Sequence, residues 1–216
     1  MQATAASGRG WRVAEFAALF VVAPAVMAVA LPPSAMFPAL FTLTAVGIIL
    51  LARTPGFAWR ELMRGRVRWG EVAAFALLTA MVAGAVVALT APGAAFFLVR
   101  NNPALLAMIL VLYPILSALP QELVFRPLFF RRYAALLPGG AAALWVNAAL
   151  FAWAHLLFWN WIGAAMTFAG GFVFAHAYRV RGSFAQAVVM HGVAGNILFA
   201  FGLGIFFYTG NITRPF

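Results

Sequence analysis

The sequence predicts an all-α polytopic membrane protein with seven to eight transmembrane helices. Of its 216 residues, 66% are hydrophobic and only 8% are charged, and the mean hydropathy is +1.00. The apolar runs leave no polar stripe, which is typical of helices surrounded by lipid. At about 20 residues per crossing, this length leaves room for seven or eight helices and almost no soluble domain.

The first 102 residues are predicted to form N-terminal transmembrane helices. The first apolar stretch is too long for a signal peptide, so we expect it to be a retained span. Residues 53–70 carry five arginines and no apolar run, which predicts a basic cytoplasmic loop on the membrane surface. The predicted spans of this region are residues 13–31, 36–52 and 72–89.

Residues 103–208 carry the remaining predicted spans, and residues 209–216 form a short tail. The element 103–132 contains Pro114, Pro120 and Pro127. Because proline removes a backbone donor and clashes with the preceding turn, we expect a kink or break near Glu122. A complete break would give eight crossings instead of seven. The later spans are predicted over residues 141–158, 161–178 and 184–208.

The arginines predict the orientation. All 14 basic residues are arginine. With a cytoplasmic N-terminus and a single crossing by residues 103–132, twelve of the fourteen lie on the cytoplasmic side. We therefore expect a multi-pass protein of the cell inner (plasma) membrane. Because the arginines are spread over short loops, the net charge of +10 predicts contacts with the lipid bilayer and no nucleic-acid partner.

Glu122 is the first candidate for a functional residue. It is one of only four carboxylates in the chain and lies in a strongly apolar region. A charge inside a membrane costs several kcal/mol unless it is paired or hydrated, so it marks a functional-site hypothesis. Arg126 follows at i+4 on the same helix face, where it can hold the carboxylate ionised. A purely structural salt bridge is the alternative.

The three histidines of the chain are the next candidates. At about 1.5 Å per residue, Glu122 and His191 lie roughly 14 and 12 Å from the cytoplasmic ends of their helices, and His155 somewhat deeper. These three side chains are therefore expected to converge inside the membrane, whereas His176 lies near the cytoplasmic end. The alternative for each histidine is a helix-to-helix hydrogen bond without catalysis.

Two motifs include these residues. Gln121-Glu122-Leu-Val-Phe-Arg126 is similar to the pattern Glu-Glu-x-x-x-Arg. Phe151-Ala-Trp-Ala-His155 matches the pattern Phe-x-x-x-His. Each motif is weak by itself, but their order and separation along the chain strengthen the signal.

A third motif completes the set. His191-Gly-Val-Ala-Gly195-Asn196 approximates a histidine followed four residues later by Asn or Asp. Together the three motifs resemble those of the CAAX-protease and bacteriocin-processing family (CPBP, Abi), which are intramembrane glutamic endopeptidases. The resemblance covers roughly residues 103–208 and implies a CPBP-type helical bundle over that range.

The resemblance also implies a chemistry. The family hydrolyses a peptide bond of a membrane-associated peptide or protein substrate without a metal cofactor. Glu122 is then expected to take a proton from water, which attacks the peptide carbonyl. His155 and His191, with an amide from Asn196, are expected to position the water and stabilise the oxyanion.

Two positions depart from the family pattern. The first glutamate of the family motif is replaced by Gln121, whose amide cannot accept the proton, and Glu122 lies about 100° away round the helix. Asn196 is at i+5 from His191, about 140° away, so it joins the cluster only if Gly195 permits a bulge. Asn147 can supply the amide in its place.

Three alternatives therefore stay open. A catalytically inactive substrate-binding or immunity protein is favoured by Gln121. A proton-coupled transporter is compatible with Glu and His inside a membrane, although no inverted repeat is evident. The set of one Glu and two His also resembles a zinc triad, although the chain has no His-Glu-x-x-His spacing.

Overall fold

A computed structural model of the protein describes residues 2–207, with side chains from residue 8 onward. The described residues form helices and no β-strand, which confirms the all-α class. Seven long helices follow one another along this part of the chain. They are α1 (residues 2–29), α2 (Pro33–Ala52), α3 (Trp69–Thr90), α4 (Pro103–Arg132), α5 (Ala142–Phe158), α6 (Trp161–Arg179) and α7 (Phe184–Phe201).

The helices form a membrane bundle. By length and composition, five of the described helices can cross a membrane, namely α1 from Gly8 onward, α2, α3, α4 and α7. Helix α5 is apolar but shorter. The polytopic helical class is therefore confirmed, while the number of seven or eight crossings stays a prediction.

Helix α4 is the central element of the bundle. Its residues 124–130 are all buried, so neighbours surround it on every side. The helix is continuous through Pro120, so the complete break considered near Glu122 is not formed. Instead, the winding of the helix changes there. The segments Pro114–Ala118 and Val124–Arg132 are π-helical and flank one α-helical segment, Leu119–Leu123. Widened turns of this kind frequently occur at functional sites.

The other helices pack around α4. Helix α2 lies along its C-terminal half, α7 contacts its middle, and α5 packs along α6. The α5–α6 contact requires a small residue, because a Cβ at Gly171 would lie 2.9 Å from the Phe151 ring. Two indole N–H groups, from Trp153 of α5 and from Trp159 directly after it, each donate to a carbonyl of α1 at 3.0 Å.

A polar cluster joins α1 to the end of α4. Glu15 accepts hydrogen bonds from Arg132 at 2.5 and 2.8 Å and from the Tyr133 hydroxyl at 2.7 Å. Burial and then the bond to Glu15 raise the pKa of the Tyr133 phenol above its ordinary value. The phenol therefore stays protonated as a donor, and the cluster fixes the first helix against the central one.

The basic loop packs on the same end of the bundle. It contains the 3-10 helix Trp59–Met63, and Arg131 at the end of α4 donates to Gly56 O at 3.1 Å and pairs with Glu61 at 3.2 Å. Its last part is held by α7, where Gln186 accepts from the Arg68 backbone N–H at 3.3 Å. The predicted loop therefore has a defined structure.

The predicted length of the last span is wrong. It was expected to continue to Tyr208, but α7 ends at Phe201. Gly202 ends the helix with φ = 95°, a left-handed conformation that favours glycine, and a 3-10 helix over Leu203–Phe206 follows. Tyr208 and the predicted tail 209–216 lie outside the described residues.

Candidate active site

Glu122 lies at the centre of a buried polar network. Its side chain is fully buried, as is that of Arg126. Arg126 donates from Nε to Oε2 at 2.8 Å and from a terminal nitrogen to Oε1 at 3.2 Å. His191 Nδ1 lies 2.9 Å from Oε1. Both carboxylate oxygens are therefore occupied by protein donors.

Arg126 is held by more than its carboxylate partner. Its other terminal nitrogen donates to Asn147 Oδ1, and Asn147 Nδ2 donates to Phe125 O at 2.8 Å. The guanidinium carbon lies 5.2 Å from the centre of the Phe151 ring and 5.9 Å from that of Phe174. Such partners offset the desolvation of a buried ion pair. Asn147, predicted as a substitute catalytic amide, thus orients Arg126.

His191 connects the buried network to Tyr113. Its ring stacks on Phe174 with centroids 4.9 Å apart, and Nε2 lies 3.1 Å from the Tyr113 hydroxyl. Since a carboxylate can only accept, Nδ1 donates to Glu122, and Nε2 forms the hydrogen bond with the Tyr113 hydroxyl. Tyr113 was not among the predicted site residues. The sequence feature that could have indicated this residue is a hydroxyl group within an apolar run, directly before Pro114.

A largely apolar cavity of about 730 Å³ lies between α1, α2, α4, α5 and α7. Neither Glu122 nor His191 lines it, and no described carboxylate does so. The polar side chains that reach it come from two helices. They are Tyr113, Ser117, Gln121 and His155. The central carboxylate and the cavity are thus separate, and a histidine and an amide are among the groups that face the cavity.

His155 and Gln121 have defined orientations at the cavity wall. His155 Nδ1 donates to Phe151 O at 2.7 Å, so Nε2 is the acceptor nitrogen of the neutral ring. Gln121 Nε2 donates to Ser117 Oγ at 2.9 Å, which engages one of its two N–H groups. The replacement of the motif's first glutamate therefore puts an amide where the family pattern has an acid.

Asn196 stands apart from this cluster. Helix α7 is regular, and Asn196 Nδ2 donates to Leu110 O at 3.0 Å. That carbonyl has no α-helical partner because Pro114 lacks an N–H. The bulge at Gly195 that Asn196 would need to join the cluster is not formed. Instead this glycine makes room for Tyr113, whose ring would overlap a Cβ at position 195.

The structure thus divides the predicted site residues into groups. Glu122, Arg126, Asn147 and His191 form the buried network, and Phe151 packs between it and His155. Among the described residues, no three His, Cys, Asp or Glu side chains are grouped so as to hold a metal ion.

Residues 101–197 match the family model for Rce1-like type II CAAX prenyl endopeptidases. That segment is similar to the Rce1-like family. This match is consistent with the CPBP family and confirms the predicted resemblance. It also indicates a protease-type enzyme. In two further comparisons, no curated protein and no solved structure matches the chain.

The Rce1-like segment contains all three motifs and also Tyr113. It begins just before Asn102, whose side chain caps α4 by accepting from Leu105 N at 3.1 Å, and it ends within α7. Helices α1 to α3 precede the Rce1-like segment, yet α1 and α2 supply cavity walls through residues such as Pro24 and Phe37. The cavity is therefore built by both halves of the chain.

Proposed function

We propose that the protein is an intramembrane endopeptidase of the CAAX-protease type. Its substrate is a membrane-associated peptide or protein segment that enters the apolar cavity. The observation that carries this proposal is that His155, with its acceptor nitrogen, and the amide of Gln121 line one largely apolar cavity. Similarity to the Rce1-like family supports the same reaction type.

His155 is the proton acceptor in this proposal. Its Nε2 takes a proton from water while the water oxygen bonds to the peptide carbonyl carbon. The carbon–nitrogen bond then breaks, and His155 returns the proton to the leaving nitrogen. The second N–H of Gln121 donates to the oxyanion, as preorganised amides do in other acyl-transfer sites. An amide at position 121 is thus useful even though it cannot act as a base.

Glu122 has a positioning role instead of the role of base that the sequence suggested. Its oxygens are bound by Arg126 and His191, and the side chain is removed from the cavity. Through His191 it fixes the Tyr113 hydroxyl at the cavity wall. A carboxylate that orients a histidine in this way selects one tautomer.

The arginine distribution supports a cytoplasmic N-terminus in the inner membrane. In that orientation the cavity opens among the helix ends of the opposite leaflet, because it is lined by the end of α1 and the beginnings of α2 and α4. The substrate therefore approaches from the outer half of the bilayer.

A second candidate function is non-catalytic binding of the same kind of substrate. It is favoured by one observation, namely that no described carboxylate lines the cavity. Without an acid, a cavity of this kind can still hold an apolar peptide segment. Substitution at position 121 distinguishes the two functions.

Proteolysis in reconstituted proteoliposomes, with a tagged candidate substrate, tests the proposal. We expect wild type to cleave, His155→Ala to lose cleavage, and Gln121→Ala to slow it by about 100-fold, as for removal of an oxyanion donor. His176→Ala is the matched control and should keep activity. The same assay with a metal chelator tests the zinc alternative, because a zinc-dependent enzyme would lose cleavage when the chelator is added.

The same assay identifies the second function. If wild type binds but does not cleave, and Gln121→Glu gains cleavage, the protein is a non-catalytic binder. Full cleavage by a folded His155→Ala variant would contradict His155 as the base.

A further inference from the structure

A second cavity lies at the opposite end of the bundle and is strongly basic. Its volume is about 370 Å³, and it lies between the beginning of α1, the residues after α2 and the end of α4. None of the described residues that line it is acidic. The charged residues that line it are Arg9, Arg12, Arg131 and Arg132.

Two of the four arginines are neutralised by partners outside the cavity wall. Arg132 is bound by Glu15, and Arg131 pairs with Glu61. Arg12 donates to the backbone carbonyl of Arg132 at 3.0 Å, and neither Arg12 nor Arg9 forms an ion pair in the part of the chain that the structure describes. Arg12 also attracts the Glu15 carboxylate through space, but four arginines against these two glutamates leave the cavity with a net charge of +2.

The position of this cavity indicates its ligand. The ends of three apolar helices meet there, so it lies at the level of the membrane–water interface. Trp11 and Val13, which flank Arg12 along α1, are 69% and 50% exposed. A ligand with an anionic group at the arginines can thus place attached apolar chains over Trp11 and Val13.

We propose that this cavity binds the phosphate of an anionic phospholipid headgroup. Guanidinium groups bind phosphate through paired, charge-assisted hydrogen bonds, and basic pockets between membrane helices bind acidic headgroups. The shared chemistry is a phosphate anion. We assign it to a lipid instead of a free phosphate because exposed apolar side chains lie beside the basic groups.

Native mass spectrometry of the purified full-length protein tests this site. The probes are dioctanoyl phosphatidylglycerol, dioctanoyl phosphatidylcholine and inorganic phosphate at equal concentrations. We expect clear preference for phosphatidylglycerol, and binding about 10- to 30-fold weaker in Arg9→Gln/Arg12→Gln, from about 1 kcal/mol per arginine near an anionic surface. The charge-matched control, Arg60→Gln/Arg64→Gln, changes exposed arginines outside the cavity and should bind within about twofold of wild type.

If the double variant Arg9→Gln/Arg12→Gln does not fold, the single variant Arg9→Gln tests lipid binding in its place. Arg9 is exposed and forms no ion pair with any described residue, so we expect Arg9→Gln to keep the fold and to weaken binding severalfold. Equal binding of both lipids, equal binding of inorganic phosphate, or equal weakening in the control pair would each overturn the proposal.

Discussion

Arg126 binds both carboxylate oxygens of Glu122 from one turn further along α4, and both side chains are fully buried. The pair lies where the helix changes from α-helical to π-helical winding. It therefore holds charge at the centre of the bundle, where water cannot compensate for the loss of either partner.

Removing one member of this pair should be strongly destabilising. We expect Arg126→Ala to lower the free energy of unfolding by about 3–5 kcal/mol, because it leaves an uncompensated buried charge. Unfolding in mixed detergent micelles measures the change, with the exposed Arg64→Ala as control. The double variant Glu122→Gln/Arg126→Met should be less destabilised than Arg126→Ala. A loss below 1 kcal/mol in Arg126→Ala would count against the pairing.

The Asn196 side chain should stabilise α4 by replacing the hydrogen bond that Pro114 cannot donate. Asn196→Ala leaves the Leu110 carbonyl unpaired, so we expect a loss of about 1–3 kcal/mol. In a Pro114→Ala background the new N–H can bond Leu110 O, and the same substitution should then cost less. A double-mutant cycle on unfolding free energies measures this coupling. Equal losses in both backgrounds would show that Asn196 acts in another way.

Gly195 should tolerate no larger side chain. A Cβ there overlaps the Tyr113 ring, so we expect Gly195→Ala to lower stability by about 1–3 kcal/mol through overpacking. Gly70→Ala, where a Cβ meets no atom within 4 Å, is the matched helical control. Thermal unfolding in detergent compares them. Tyr113→Leu should relieve part of the loss, and an unchanged midpoint in Gly195→Ala would contradict the contact.

Tyr133 should make stability depend on alkaline pH. Its pKa is raised in the folded protein, so its contribution is complete below the unfolded value of about 10 and declines as the pH rises above it. Thermal midpoints between pH 8 and 11.5 should fall less steeply in Tyr133→Phe than in wild type. Parallel profiles would exclude this linkage. At neutral pH the variant should lose about 1.5–3 kcal/mol, the contribution of a hydrogen bond to a charged group.

Helix rotation decided which of the two neighbouring polar residues of the first motif faces the cavity. Gln121 and Glu122 are adjacent in sequence, yet only Gln121 lines the cavity, while Glu122 is fully buried among protein donors. The two side chains point about 100° apart around the helix axis. No local sequence pattern shows which of these directions faces the cavity. The π-helical turns on both sides of this segment shift the phase further from that of a regular helix.

The sequence by itself determined the membrane class, the seven helical segments to within a few residues at most ends, and the proximity of Glu122, Arg126 and His191. These follow from local properties, because lipid requires long apolar helices and makes an isolated charge conspicuous. Only the tertiary structure decided that Tyr113 forms a hydrogen bond with His191 and that Asn196 donates to a backbone carbonyl of α4. It also decided that His155 faces the cavity. Those outcomes depend on which helix faces meet, and packing between distant segments sets them.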